Sequence, residues 1–179
     1  PDNASDSSFY TTTYEYETGT NRITRIWQTD GSELKIRYDA AGRVEWLIQT
    51  VAATVTAQDT RVTQLVYNSG RTDVKVYQAQ FDPVTDPLQA WPNALTTSLF
   101  YEDANNPDQL TKIVAPPARA GAAPQTTLFE YDTSGNVTRV TDPAGAQTNY
   151  VYDAGGNARK ITDANGNITY RAYDVGANY

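Results

Sequence analysis

The chain has 179 residues and contains no Cys, His or Met; 14 Lys and Arg stand against 21 Asp and Glu, for a formal net charge of −7. This composition excludes disulfides, thiol or imidazole nucleophiles and zinc or iron sites built on those ligands, and it lacks the cationic footprint that nucleic acid or an anionic membrane surface requires. No apolar run approaches the roughly 18 residues of a transmembrane helix.

Taken in chain order, 1–8 is polar and turn-like, suited to a short cap or to fraying. Tyr16-Glu17-Thr18-Gly19-Thr20-Asn21 is a turn, and Ile23-Thr24-Arg25-Ile26 is a strand after one extra residue, Arg22. Asp30-Gly31 reads as a two-residue hairpin. Leu34 to Tyr38 alternates apolar and polar into a Tyr38-Asp39 pair, and Val44 to Val51 is the next strand. Arg61 to Tyr67, Asn68-Ser69-Gly70 and Thr72 to Tyr77 form a hairpin. Phe81 to Ala94 carries three Pro, which block ladder bonds, and so reads as an insertion loop. Strand character returns at Leu99-Phe100-Tyr101 and at Leu110 to Ile113. A Pro- and Ala-rich loop, Ala115 to Pro124, follows.

The last fifty residues are periodic. Tyr131-Asp132-Thr133-Ser134-Gly135-Asn136 recurs as Tyr152-Asp153-Ala154-Gly155-Gly156-Asn157 and begins again at Tyr173-Asp174. The spacing is 152 − 131 = 21 and 173 − 152 = 21 residues. Thr141, Asp142, Gly145 and Thr148 match Thr162, Asp163, Gly166 and Thr169. A fixed period of this size marks units that bury their apolar faces by stacking on neighbours. Each unit is expected to be an antiparallel hairpin. Asp can bond the backbone two residues on, and Gly and Asn tolerate positive φ. The return strand sets aromatics such as Tyr150 and Tyr152 on one face, with Tyr131, Tyr152 and Tyr173 equivalent and buried at the ring.

Sharper chemical readings of these residues compete with this one. Tyr-Asp pairs resemble acid–base dyads, but they recur in every unit, as turn chemistry does and a catalytic site need not. Asp163-Ala164-Asn165-Gly166-Asn167 has the oxygen spacing of a calcium loop but lacks the closing Glu. Trp27, Trp46 and Trp91 could stack on sugars; Trp91, in the Pro-rich loop, is the best candidate for an exposed ligand-contact aromatic. The Asn-x-Ser/Thr acceptors at Asn3, Asn136 and Asn167 are mostly products of the repeat.

The Tyr131 to Asn136 and Tyr152 to Asn157 lines, with Thr141-Asp142-Pro143-Ala144-Gly145 and the Thr148-x-Tyr150-x-Tyr152-Asp153 return strand, resemble the YD repeats of RHS proteins. The resemblance is strong over 126–179, fair over 14–51 and weak between. It implies a hollow β shell enclosing a toxic domain, as in bacterial polymorphic toxins and Tc complexes, or an adhesive shell, as in teneurins. Asp142-Pro143-Ala144-Gly145 resembles an internal turn and not the family's self-cleavage motif, so no catalytic residue is carried over.

The expectation is therefore an all-β chain of tandem antiparallel hairpins forming a twisted, extended sheet. It is a single domain over 1–179, with clear repeats at 14–51 and 126–179 and degenerate ones with Pro-rich loops over 52–125. The structural repeat residues are Tyr16, Tyr38, Asp39, Tyr131, Asp132, Gly135, Asn136, Tyr152, Asp153, Gly156, Asn157, Tyr173 and Asp174. No catalytic, metal or cofactor residues are expected. The chain, beginning at Pro1 and ending inside a third repeat, is expected to be a segment of a larger bacterial protein, secreted or on the cell surface. Its expected partners are further repeats, other copies of itself, an enclosed toxin domain or surface glycans, with no nucleic acid and no membrane insertion. Its expected role is a structural segment of an enclosing shell, the alternatives being an adhesive or carbohydrate-binding module or a filament subunit.

Overall fold

A computed structural model of the chain describes residues 11–50, 60–77 and 94–173, and none of these is helical. They form thirteen strands: β1 Thr12–Tyr16, β2 Ile23–Gln28, β3 Glu33–Tyr38, β4 Val44–Thr50, β5 Thr60–Asn68, β6 Arg71–Tyr77, β7 Ala94–Phe100, β8 Lys112–Ala115, β9 Gln125–Tyr131, β10 Val137–Thr141, β11 Gln147–Tyr152, β12 Ala158–Thr162 and β13 Ile168–Tyr170. Strand order in the sheet follows chain order from β1 to β13. The all-β expectation holds. The reason is local: β-branched and aromatic residues fill short runs, and a turn residue set interrupts them before any helical period can build. Trp91, Asp174 and most of the Pro-rich insertion lie outside the described residues.

The chain divides into two compact units, Pro1–Val66 with Asp73–Thr96, and Tyr67–Thr72 with Thr97–Tyr179. In the first, Trp46, Ile48, Val62 and Tyr77 form a small buried cluster, with Ala94 packed against it. Ile48 sits opposite Val62, and Trp46 opposite Gln64. The Trp46 and Tyr77 rings stack at 5.9 Å, and the Tyr77 hydroxyl donates to Gln64 Oε1 at 3.0 Å.

The second unit has no described apolar side chain in the buried class. Register places Leu99 opposite Ile113, Ile113 opposite Thr127, Phe129 opposite Val140, Val140 opposite Thr148 and Tyr150 opposite Ile161. Opposed residues share a face, as do residues two apart on a strand. Leu99, Ile113, Phe129, Val140, Tyr150 and Ile161 therefore make one apolar stripe across five hairpin ladders, and every member is half-buried.

The two ends of each hairpin differ. Pairing across the Asp142 turn is regular, with Thr141 opposite Gln147. Four of the described Tyr ends carry a bulge. Tyr131 faces Val137 while Glu130 faces Arg139, which leaves Thr138 as the extra residue. The same shift recurs at Val151/Tyr152, Arg37/Tyr38 and Glu15/Tyr16. A bulge of this kind bends its strand and increases the local right-handed twist.

Candidate functional site: the Tyr-Asp turns

Each Tyr-Asp turn is a short loop closed by two backbone bonds. Asp132 N–H donates to the Asn136 carbonyl at 2.9 Å, and Gly135 N–H donates to the Asp132 carbonyl at 3.0 Å. Asp153 to Asn157 and Asp39 to Arg43 repeat this pattern, as do the Asp142 and Asp163 turns at the other hairpin ends. The Gly takes φ near +80°, at +83° for Gly135 and +79° for Gly156, which no other described residue type adopts. This is a type I turn followed by a left-handed residue. Two expectations are corrected here. Asn does not supply positive φ. Asp30-Gly31 is not a two-residue hairpin, because that turn needs positive φ at both positions and only Gly31 has it. Instead Gln28 takes the Asp position of the longer loop, accepting from Gly31 N–H at 3.0 Å.

The Asp side chain organises the loop from inside. Asp132 Oδ1 accepts from the N–H groups of Ser134 and Asn136, each at 2.9 Å. Its Oδ2 accepts from the Asn136 amide at 3.0 Å. Asp153 and Asn157 do the same, and so do Asp163 and Asn167. In the Asp39 turn, Arg43 replaces Asn and reaches Oδ2 at 2.8 Å. These donors favour the ionised carboxyl. The Asn136 amide above all, then its N–H, holds Asp132 below the usual carboxylate range, and the Asn157 N–H leads the same effect at Asp153. Both oxygens of Asp163 face donors of its own turn, the demand of a hairpin and not of a cation loop.

The Tyr closes a fork. The β10–β11 ladder pairs only Arg139 to Thr141, and beyond it the strands part at the bulge. The Tyr152 hydroxyl bridges the gap, donating to the Val137 carbonyl at 2.8 Å. Tyr38 reaches Ile23 at 2.8 Å, and Tyr173 reaches Ala158 at 3.2 Å, each fifteen residues back. Tyr131 reaches Leu110 at 2.7 Å, twenty-one back, because the turn before it is enlarged to 101–111. The equivalence of these tyrosines is observed, and their burial varies along the chain. Tyr38, Tyr131 and Tyr152 are half-buried, Tyr173 is 38% exposed, and Tyr16 on edge strand β1 is 57% exposed.

Successive turns also touch, which the residue pattern did not reveal. A Cβ on Gly156 would meet Asn136 Oδ1 at 3.6 Å, and one on Gly135 would meet Asn106 Oδ1 at 3.5 Å. On Gly42 it would run into the Arg22 guanidinium. Each Gly receives a polar side chain from the turn before it. Asn106 additionally donates to the Asp132 carbonyl at 3.2 Å, tying the enlarged loop to the next turn. Between consecutive turns lies a cleft of about 540 Å³, lined by Asp132, Ser134, Asn136, Thr138, Tyr150, Tyr152 and Asp153 among others. Of the tryptophans, Trp46 is buried and therefore closed to a sugar, and Trp27 lies under the Arg25 guanidinium at 4.5 Å.

Residues 131–168 match the RHS Repeat family. These residues form an RHS/YD-repeat segment. No curated protein matches the chain. The RHS match begins at Tyr131 and ends at Ile168, so it spans the Asp132, Asp142, Asp153 and Asp163 turns whose bonding is described above.

Proposed function

We propose that this RHS-repeat chain is a non-catalytic structural segment of a secreted or cell-surface protein, and that its sheet walls in or presents a toxin or effector domain. The observation that carries this reading is the half-buried stripe Leu99, Ile113, Phe129, Val140, Tyr150 and Ile161 on one face of the second unit. A continuous apolar face that is only partly buried costs solubility unless something lies against it. The repeating Asp carboxylates support a structural role, since their oxygens are taken by turn donors. The test is a photo-reactive residue in place of Tyr150 within the parent polypeptide. Cross-links to a non-repeat region of the same polypeptide are expected; their absence in the secreted protein, with efficient cross-linking of water only, defeats the reading.

The cleft between the Asp132 and Asp153 turns supports a second reading, an adhesive surface for glycans, because it combines a Tyr ring with carboxylate, amide and hydroxyl groups. A glycan array separates the two. Binding lost on Asn136→Ala, in a protein with an unchanged circular dichroism spectrum, favours adhesion.

A further inference from the structure

The Asp163-Ala164-Asn165-Gly166-Asn167 turn between β12 and β13 departs from its counterparts at one position. Ala144 stands in the place of Asn165 in the Asp142 turn, and Ser134 and Gly155 stand there in the Tyr-Asp turns. Asn165-Gly166 is the only Asn-Gly pair in the chain. Asn is chemically labile, because the backbone nitrogen of the next residue can attack its Cγ. The attack is least hindered where that residue is Gly, which has no Cβ and the widest backbone freedom.

The structure sets Asn165 apart from the other described Asn residues. The amides of Asn136, Asn157 and Asn167 are held by the Asp that opens each turn, at 3.0, 3.3 and 2.8 Å. Asn106 is held by Asp103 at 3.0 Å and precedes Pro107, which has no N–H to react. Val137 and Ile168, which follow Asn136 and Asn167, are branched at Cβ and stiff. Asn149 lies inside strand β11. Asn165 is exposed. Its backbone N–H donates to Asp163 Oδ1 at 2.9 Å, but no described residue bonds its carboxamide. Nothing lies within 4 Å of a Cβ on Gly166. Ala144 is also exposed and Gly145 equally open, although the Asp163 turn follows them. The openness of this position is thus a property of the turn, kept when a further unit stacks beside it.

We propose that Asn165 is a site of spontaneous deamidation, and that the reaction remodels its turn. The Gly166 nitrogen loses its proton to hydroxide and bonds to Asn165 Cγ. The carboxamide C–N bond breaks, and its nitrogen leaves as ammonia, which closes a cyclic imide. Water then opens the imide. Cleavage at Cγ leaves Asp. Cleavage at the backbone carbonyl leaves isoaspartate, whose main chain runs through Cβ and Cγ and is longer by one carbon. Water enters, ammonia leaves, and nothing is oxidised or reduced. The added carbon separates the Gly166 N–H from the Asp163 carbonyl, to which it donates at 3.0 Å in closing the turn. That same bond restrains the nucleophile, so the folded chain should react more slowly than the unfolded one. This inference is independent of the enclosing role.

The test is incubation of the full chain at mildly alkaline pH, then tryptic digestion, with a sample digested before incubation as baseline. The 161–171 peptide carries both Asn165 and Asn167, and fragmentation reads which of them has exchanged its amide for a carboxyl. Most of Asn165 should be lost before any other Asn changes, with isoaspartate among the products and a rate that rises with hydroxide concentration. Asn165→Ala, which borrows the residue of the Asp142 turn, should leave this peptide unchanged and keep the β spectrum. Asn165→Asp supplies the charge without the extra carbon. The aged chain should therefore lose amide-exchange protection at Gly166 that this variant keeps. Asn165 intact after Asn105, Asn149 or Asn167 has reacted overturns the proposal. So does conversion confined to urea, which would show that the closed turn protects the site. Equal Gly166 protection in the aged chain and in Asn165→Asp overturns the remodelling of the turn.

Discussion

At Gly42 and Gly145 the same backbone demand meets different surroundings. Both take positive φ, +80° and +85°, and an Ala there costs about 1–2 kcal/mol of left-handed strain. Nothing lies within 4 Å of a Cβ on Gly145, whereas one on Gly42 displaces the Arg22 guanidinium from its place over the Tyr38 ring at 5.4 Å. Gly42→Ala should therefore destabilise more than Gly145→Ala, and Arg22→Ala should remove the excess; a double-mutant cycle on chemical denaturation midpoints reads both. The turn carboxyls give a second expectation. Asp39, Asp132, Asp153 and Asp163 have folded pKa values lowered by turn donors. A depressed folded pKa contributes stability that is fully present above the unfolded value of about 3.9 and is lost as pH falls through the folded pKa. The thermal midpoint should hold near neutrality and drop below about pH 4, where these carboxyls take up protons. A flat profile from pH 6 to pH 2 would show that the turns do not depend on ionised Asp.

At the scale of the hairpin, the phenol is a brace across a fork. Tyr152→Phe deletes one hydrogen bond to a backbone carbonyl and should cost about 1 kcal/mol. Tyr173→Phe, with its longer 3.2 Å bond on a more exposed ring, should cost less, and equal losses would contradict the geometry. Burial first, then the Tyr150 and Asp132 charges, push the Tyr152 hydroxyl above its ordinary value. This contribution is intact below about pH 10 and fades as pH rises through the folded value. The hairpin itself was legible in the sequence, since Asp, Gly and the 21-residue period specify a turn whatever lies around it. The bulge was not, because Thr138 and Arg159 differ in no chemical respect from paired strand residues. The role of Asn136 was misread for a related reason. Asn tolerates positive φ and also donates from its amide, and only the turn geometry selects between the two.

For the whole molecule, stability should follow cover. The Trp46, Ile48, Val62 and Tyr77 cluster is the best-buried part among the described residues. Native-state amide exchange should be slowest in β4 and β5 and fastest in β1 and β13, since protection tracks local packing. Equal protection at Ile168 and Ile48 under dilute conditions would contradict that order. The repeat pattern could not announce where this cluster forms. It arises where the first clear repeat, which supplies Trp46 and Ile48, meets the degenerate middle, which supplies Val62 and Tyr77, and Tyr77 stacks on Trp46.

The reach of the tyrosine and glycine contacts bears on how such a chain changes length over generations. Tyr152 braces a carbonyl fifteen residues back, and Gly156 receives a side chain from twenty back, both inside one 21-residue period. The phenol and the glycine of this unit thus find their partners in the unit just before it. Unequal recombination that drops or doubles 21 codons joins a turn to the same kind of neighbour it had. A change of another size has to be taken up by a turn, as 101–111 does while Tyr131 still reaches Leu110 and Gly135 still receives Asn106, so whole-period changes are the ones this architecture absorbs without a remodelled turn.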